Sequence, residues 1–174
     1  MSIFESGNYT VIDIETNGFS RTKDSIIEIS AVRYRDFKSV WEFSKLVRPV
    51  RPINKTIQEL TGITNNMAYS ASPPEKVLQE FRSFVSSDTV VGWNIHTFDN
   101  PFIDAQCRKY INKPFENASV DVMELAKKLL PNLPKYKQTE VAQHFNISTE
   151  GSHRAVNDCI ICNEIFLNLI QMMK

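Results

Sequence analysis

The segment Tyr9 to Ile14 (YTVIDI) is β-branched and apolar enough for a buried strand, yet acids stand at its end, Asp13 and Glu15. Residues two apart on a strand project from the same face. Two carboxylates on one buried face repel each other, and burial raises the cost further. A solvated strand would carry such a pair harmlessly, but Val11, Ile12 and Ile14 argue against solvation here. A cation between the two acids is the natural compensation. Hard oxygen ligands point to Mg²⁺ or Mn²⁺ rather than zinc.

The rest of the chain reads as strands first and helices later. Ser25 to Tyr34 and Ser39 to Val47 are two further strands, separated by the charged turn 35–38, so the first three suggest an antiparallel meander. A short helix is predicted from Asn54 to Leu60, ending near Gly62. Ser72-Pro73-Pro74-Glu75 reads as a helix start capped by Ser72, followed by Val77, Leu78, Phe81, Phe84 and Val85 at helical spacing. Short strands at Thr89 to Gly92 and Ala118 to Asp121 alternate with helices at Phe98 to Tyr110, Glu124 to Leu130 and Gln138 to Phe145. A final helix from about Arg154 carries Ala155, Cys159, Cys162, Phe166 and Leu169 on one stripe. This pattern predicts an α/β sandwich, a five-stranded mixed sheet flanked by helices, in one domain spanning 1–174.

Composition narrows the class. No apolar run approaches the roughly 18 residues of a membrane span. The first residues lack a basic and apolar leader, and three cysteines cannot all pair, so a cytoplasmic protein is expected. The Cys159-x-x-Cys162 pair lies on the apolar stripe, where core packing accounts for it. Net charge is +0, which argues against a protein that grips long nucleic acid by bulk positive charge. Within that total, residues 33–55 carry +5 and residues 108–137 carry +4.

Three further residues stand out. Asp99 lies at a helix start, where it could simply complement the helix dipole. Asp158 edges the apolar stripe of the last helix and needs a partner. His153 precedes it by five residues, where a helix N-terminus favours the neutral imidazole that a general base requires.

IDIETNG (12–18), NIHTFDNPF (94–102) and HRAVNDC (153–159), in that order, resemble the three motifs of the DEDD exonucleases, and His153 matches their His-containing, DnaQ-like branch. That branch includes bacterial DNA polymerase III proofreading (epsilon-type) domains. INKTIQELTGIT (53–64) resembles the segment between the first two motifs. D-x-E alone is common; three ordered motifs together are highly specific. The resemblance implies an RNase H-like fold and metal-dependent 3′→5′ removal of nucleoside 5′-monophosphates from DNA. It implies that Asp13 bridges two divalent ions, Glu15 and Asp158 complete the tighter site, Asp99 holds the second, and His153 is the general base. It also implies that Thr16, Asn17, Gly18 and Phe19 line the terminal nucleotide. Phe19 and Ile63 would wedge its base, and Asn94 and Phe98 would contact sugar and phosphate; core packing competes for Phe19, Ile63 and Phe98. Trp93, Asn17 and Gln138 depart from the family's usual residues.

The expected partner is nucleic acid with a 3′ end, single-stranded DNA in particular, along with a DNA polymerase if the chain proofreads. A monomer with no membrane association is expected. An exoribonuclease trimming RNA ends shares these residues, and a 3′-end-binding module without turnover would share the groove.

Overall fold

The computed structural model describes residues 2–173. In chain order the elements are α1 (Ile3–Ser6), β1 (Tyr9–Thr16), β2 (Ile26–Arg35), β3 (Lys38–Leu46), α2 (Lys55–Thr61), α3 (Asn65–Tyr69), α4 (Pro74–Val85), β4 (Val90–Gly92), α5 (Asp99–Ile111), β5 (Ser119–Asp121), α6 (Val122–Leu129), α7 (Gln138–His144) and α8 (Ala155–Met172). The strands form one mixed sheet in the order β3-β2-β1-β4-β5. β1, β2 and β3 are the antiparallel meander expected from their short links, whereas β1–β4 and β4–β5 pair in parallel.

β1 is buried on both faces because it lies at the centre, which explains its nearly continuous apolar run. Its alternation still sorts the faces. Tyr9 and Val11, with Val32 and Tyr34 of β2, pack beneath α6, α7 and α8. Ile12 and Ile14, with Ile29 and Ala31, pack beneath α4 and α5. Asp13 and Glu15 continue the first row, so the strand's period of two delivers both acids to the α8 side. A register shift between Glu15 and Thr16 ends the ladder and turns the chain into the 17–24 loop.

α8 lies along β1. Phe166 packs edge-on to Tyr9 with ring centroids 5.3 Å apart, and the buried Tyr9 hydroxyl donates to Asn163 Oδ1 at 2.7 Å. Cys159 and Cys162 are free thiols buried in this core, as the apolar stripe predicted.

Several local expectations change. Ser72 does not cap α4; Pro73 holds the cap position without a side-chain bond, and the Ser72 carbonyl accepts the Arg48 N–H at 3.0 Å. α6 starts two residues earlier than expected because Asp121 caps it, accepting the N–H groups of Met123 and Glu124. α1 and α3 are too short for apolar periodicity to reveal. Both open on a side-chain cap, Ser2 and Thr64.

Phe166 is fully buried at the junction of α8 and β1. Phe166→Ala should lower unfolding stability by about 3–5 kcal/mol, measurable by urea denaturation; a loss well under 1 kcal/mol would contradict this account of the core.

Candidate active site

The alternation of β1 sets two acids at its end, and the antiparallel course of α8 brings a third. Carboxylate oxygens of Asp13, Glu15 and Asp158 lie within 4.8 Å of one another. They line a pocket of about 260 Å³ together with Ile14, Lys137, Gln138, Thr139, Ser152 and His153. Four of the five acid–base residues suggested by sequence therefore share one pocket wall. Asp99 joins them from α5, on the other side of β1. It is nearly buried, and its Oδ1 accepts the Ile14 N–H at 3.2 Å.

The electrostatics follow from this crowding. Burial pushes the Asp13 carboxyl well above the ordinary carboxylate range, and the charges of Asp99, Asp158, Glu15 and Glu28 push it further. Burial, then Asp158, Glu28 and Asp99, raise Glu15 to about 8, with Arg154 opposing. Burial raises Asp99 to about 7, although backbone N–H bonds resist the change. Asp158 is raised by burial and held back by the His153 N–H, which donates to its Oδ2 at 2.9 Å. Neighbouring acids that resist ionisation, all with oxygen donors, fit a divalent cation of the Mg²⁺ or Mn²⁺ type.

His153 stands at the pocket edge, exposed, with a left-handed backbone (φ 68°). Gln138 reaches the Asp158 carbonyl from α7, its Nε2 donating at 2.8 Å, and this gives its amide a use at that position.

A second pocket of about 200 Å³ adjoins the first through Ile14 and Glu15. It is also lined by Thr16, Gly18, Phe19, Ile57, Leu60, Thr61 and Phe98. Phe19 is 90% exposed, so its ring is a surface feature and not core. Phe98 meets it edge-on at 6.4 Å. Thr16 Oγ1 donates to the Gly18 carbonyl at 2.7 Å, which folds the lip of the pocket. A Cβ at Gly18 would lie 2.3 Å from the Asp24 carboxylate, so any larger residue would displace the oxygen that accepts the Ser20 N–H.

Burial and hydrogen bonding bear on three of the expected contact residues. Ile63 is fully buried against Ile27, Ile53 and Ala68, so it cannot wedge a base. The exposed apolar side chain opposite Phe19 is Leu60, 53% exposed on α2. The Asn17 side chain is engaged within the protein. Its Nδ2 donates to the Arg51 carbonyl at 3.1 Å, and its Oδ1 accepts the Ser25 N–H at 2.7 Å. Asn94 has a left-handed backbone (φ 55°) that turns the loop before α5, and its N–H donates to Asp121. Trp93 packs partly against the α8 core.

Glu28 was missed altogether. It is 1% exposed and pairs directly across from Glu15 in the β1–β2 register. Its signal was present: a carboxylate inside the apolar run 26–32, the same anomaly that singled out Asp13.

Comparison with known proteins agrees with this geometry. The RNase_T family, described as Exonuclease, matches residues 10–166. The chain is 38% identical over 165 residues to DNA polymerase III subunit epsilon of Aquifex aeolicus (strain VF5), covering 95% of this chain and 81% of that protein. It is 40% identical over 166 residues to the PolC-type DNA polymerase III of Clostridium perfringens (strain 13 / Type A), covering 95% of this chain but only 11% of that protein. Among solved structures, exonuclease X in complex with 5′ overhanging duplex DNA superposes with a TM-score of 0.75 at 26% identity, covering 94% of this chain and 91% of the other. E. coli exonuclease I in complex with a dA16 oligonucleotide gives a TM-score of 0.81 at 17% identity, covering 94% of this chain and 42% of that one. The fold is the RNase H-like exonuclease fold.

In chelator, the folded protein holds protons on Glu15 and Asp99 that the unfolded chain releases at ordinary carboxylate pH. The resulting stability is complete below about pH 4 and is lost as pH rises through about 7 to 8. The metal-free Tm should therefore fall between about pH 5 and pH 8, and Mg²⁺ or Mn²⁺ should raise it mainly at the upper end. A chelated Tm that climbs across that window would refute this electrostatic description.

Proposed function

Since the chain belongs to the RNase_T exonuclease family, it is a hydrolytic exonuclease, and we propose that it removes nucleotides from the 3′ end of single-stranded or frayed DNA, releasing nucleoside 5′-monophosphates. The observation that carries this reading is the convergence of Asp13, Glu15, Asp158 and His153 on one pocket, beside a second pocket rimmed by Phe19 and Leu60.

Asp13, Glu15 and Asp158 would hold one divalent ion, with Asp13 and Asp99 serving a second. Such ions, when bound, lower the pKa of a water and stabilise the attacking and leaving oxygens of a phosphodiester. The four carboxylates match the charge of two such ions. His153, at the pocket edge, takes the proton of the attacking water. Phe19 and Leu60 present apolar surfaces at the adjoining pocket, where a terminal base can pack without regard to its identity. The Gly18 backbone lines the same pocket and can approach the sugar.

DNA is favoured because the Aquifex relative is a DNA polymerase III subunit and exonuclease X was solved with duplex DNA bearing an overhang. The Aquifex relative, as a DNA polymerase III subunit, supports a DNA polymerase as a partner, with the cytoplasm as the compartment proposed. Among the described residues no helix is long and apolar enough to cross a membrane. The catalytic unit is proposed to work as a monomer and as one domain.

Parts of the basic stretches approach the site. Arg51 is tied to Asn17 through its carbonyl, Lys55 opens the helix that carries Leu60, and Lys137 lines the acidic pocket. Arg48, Arg51 and Lys55 are exposed and would meet the phosphates upstream of the end.

A 5′-labelled single-stranded oligonucleotide should shorten to a ladder in Mg²⁺ or Mn²⁺, with nucleoside 5′-monophosphate released, and Asp13→Ala should abolish this. Full metal-dependent activity in that variant, or faster turnover of the matched RNA, would overturn the mechanism or the substrate respectively. Charge reversal at Arg48, Arg51 and Lys55 should raise KM and flatten its dependence on salt, with kcat nearly unchanged. An unaltered salt slope would remove these residues from the phosphate path.

A further inference from the structure

His153 is exposed, and among the described residues no hydrogen bond orients its imidazole. The backbone beneath it therefore fixes where its Cα–Cβ bond leaves the chain, and with that the region the ring can reach, which includes the carboxylate pocket. That backbone is left-handed, a region in which a side chain with a Cβ is disfavoured unless its surroundings hold it there.

The surroundings hold it from both sides. On one side, the His153 N–H donates to Asp158 Oδ2 at 2.9 Å. On the other, the next two residues are bound by a single carboxylate. Glu28 accepts Arg154 Nη2 at 2.8 Å and Arg154 Nε at 3.3 Å, and its Oε2 accepts the Ala155 N–H at 3.2 Å. Arg154 is the cap residue of α8 and makes no side-chain bond to its own helix. A local Ser or Asp would have capped the helix more simply. The chain instead uses an acid from the sheet, 2% exposed in its side chain, and an arginine fork. Only the Glu28 end is buried, the Arg154 side chain being 45% exposed, so the fork stabilises a buried carboxylate that would otherwise lack a partner and fixes where the Arg154 backbone lies.

The position of Glu28 gives that geometry a reference. It sits directly across from Glu15 in the ladder, on the face that carries Asp13. The fork therefore ties the residue after His153 to the same strand pair that carries the acids.

We propose that Glu28 and Arg154 are positioning residues, which lock the left-handed turn at His153 and so aim its imidazole at the carboxylate pocket. The proposal rests on His153 acting as the general base. Lysine cannot reproduce the fork, because it offers a point charge where two directed donors are needed.

The test uses Arg154→Lys and Glu28→Gln, each alone and combined with His153→Ala, on a 5′-labelled single-stranded oligonucleotide. Circular dichroism and Tm establish that each variant is folded. Each single variant should lose about tenfold to a hundredfold in kcat, while KM stays within about twofold; in Arg154→Lys, which keeps the local charge, the half-saturating Mn²⁺ concentration should also stay within about twofold. In the His153→Ala background neither should cause a further loss, since the residue they position is gone. Independently of turnover, the His153 ring resonances of the metal-free protein should move toward those of an unstructured histidine in both variants. Losses that multiply with His153→Ala, a raised Mn²⁺ requirement in Arg154→Lys, or unmoved ring resonances would overturn the positioning role alone. No turnover in the unsubstituted protein would overturn the functional reading with it. Should Arg154→Lys fail to fold, Glu28→Gln decides by the same comparisons.

Discussion

The contact between α8 and β1 is the interaction on which the rest depends. Along one face of that contact the side chains change character, from Tyr9 and Val11 to Asp13 and Glu15 on the strand, and from Phe166 and Cys162 to Asp158 on the helix. Each large side chain buried at the apolar end contributes about 1.5–3 kcal/mol. That stabilisation holds two rigid elements together, so the acidic end cannot relax its repulsion by drifting apart. Protons or cations must do so instead. The core thus presses the carboxylates into a state that is uncomfortable when empty and charged, which is the condition for strong binding of a divalent ion.

Much of this was legible because it broke a rule. Asp13, Glu15 and Asp158 are conspicuous as charges in apolar company, and period-two and helical spacing assigned them to faces without any structure. The meander, the central strand and the stripe of the last helix followed from the same periodicities. What could not be read was the competition for each polar side chain. Asn17 is used up in bridging Arg51 and Ser25, a pairing that no local spacing encodes. Ile63 and Leu60 lie three residues apart in one motif, and only the tertiary arrangement decides which is covered. Glu28 and Arg154 are separated by 126 residues, so their bond is invisible until the sheet and α8 are assembled.

The zero net charge acquires a spatial meaning. Asp13, Glu15 and Asp158 collect in one pocket, and the basic stretches supply Lys137 to its lining and Lys55 to the start of the helix that carries Leu60. Charges of opposite sign are separated by role, not averaged over the surface. An enzyme acting on chain ends profits from modest affinity for the polymer, since each turnover requires the shortened strand to advance.

The burial of Ile63 carries a consequence for motion. The segment 53–69, with α2 and α3, rests on a small core of its own made with Ile27, separate from the two clusters that sandwich the sheet. With so few buried contacts it has less to lose on opening than the central strands do, and its amides will exchange through local openings at lower free energy than global unfolding. Leu60 rides on this segment, whereas Phe19 belongs to the loop that ends β1. Two apolar side chains that line one pocket beside the carboxylates thus belong to units of different stiffness, and the space between them can breathe while the carboxylates stay fixed.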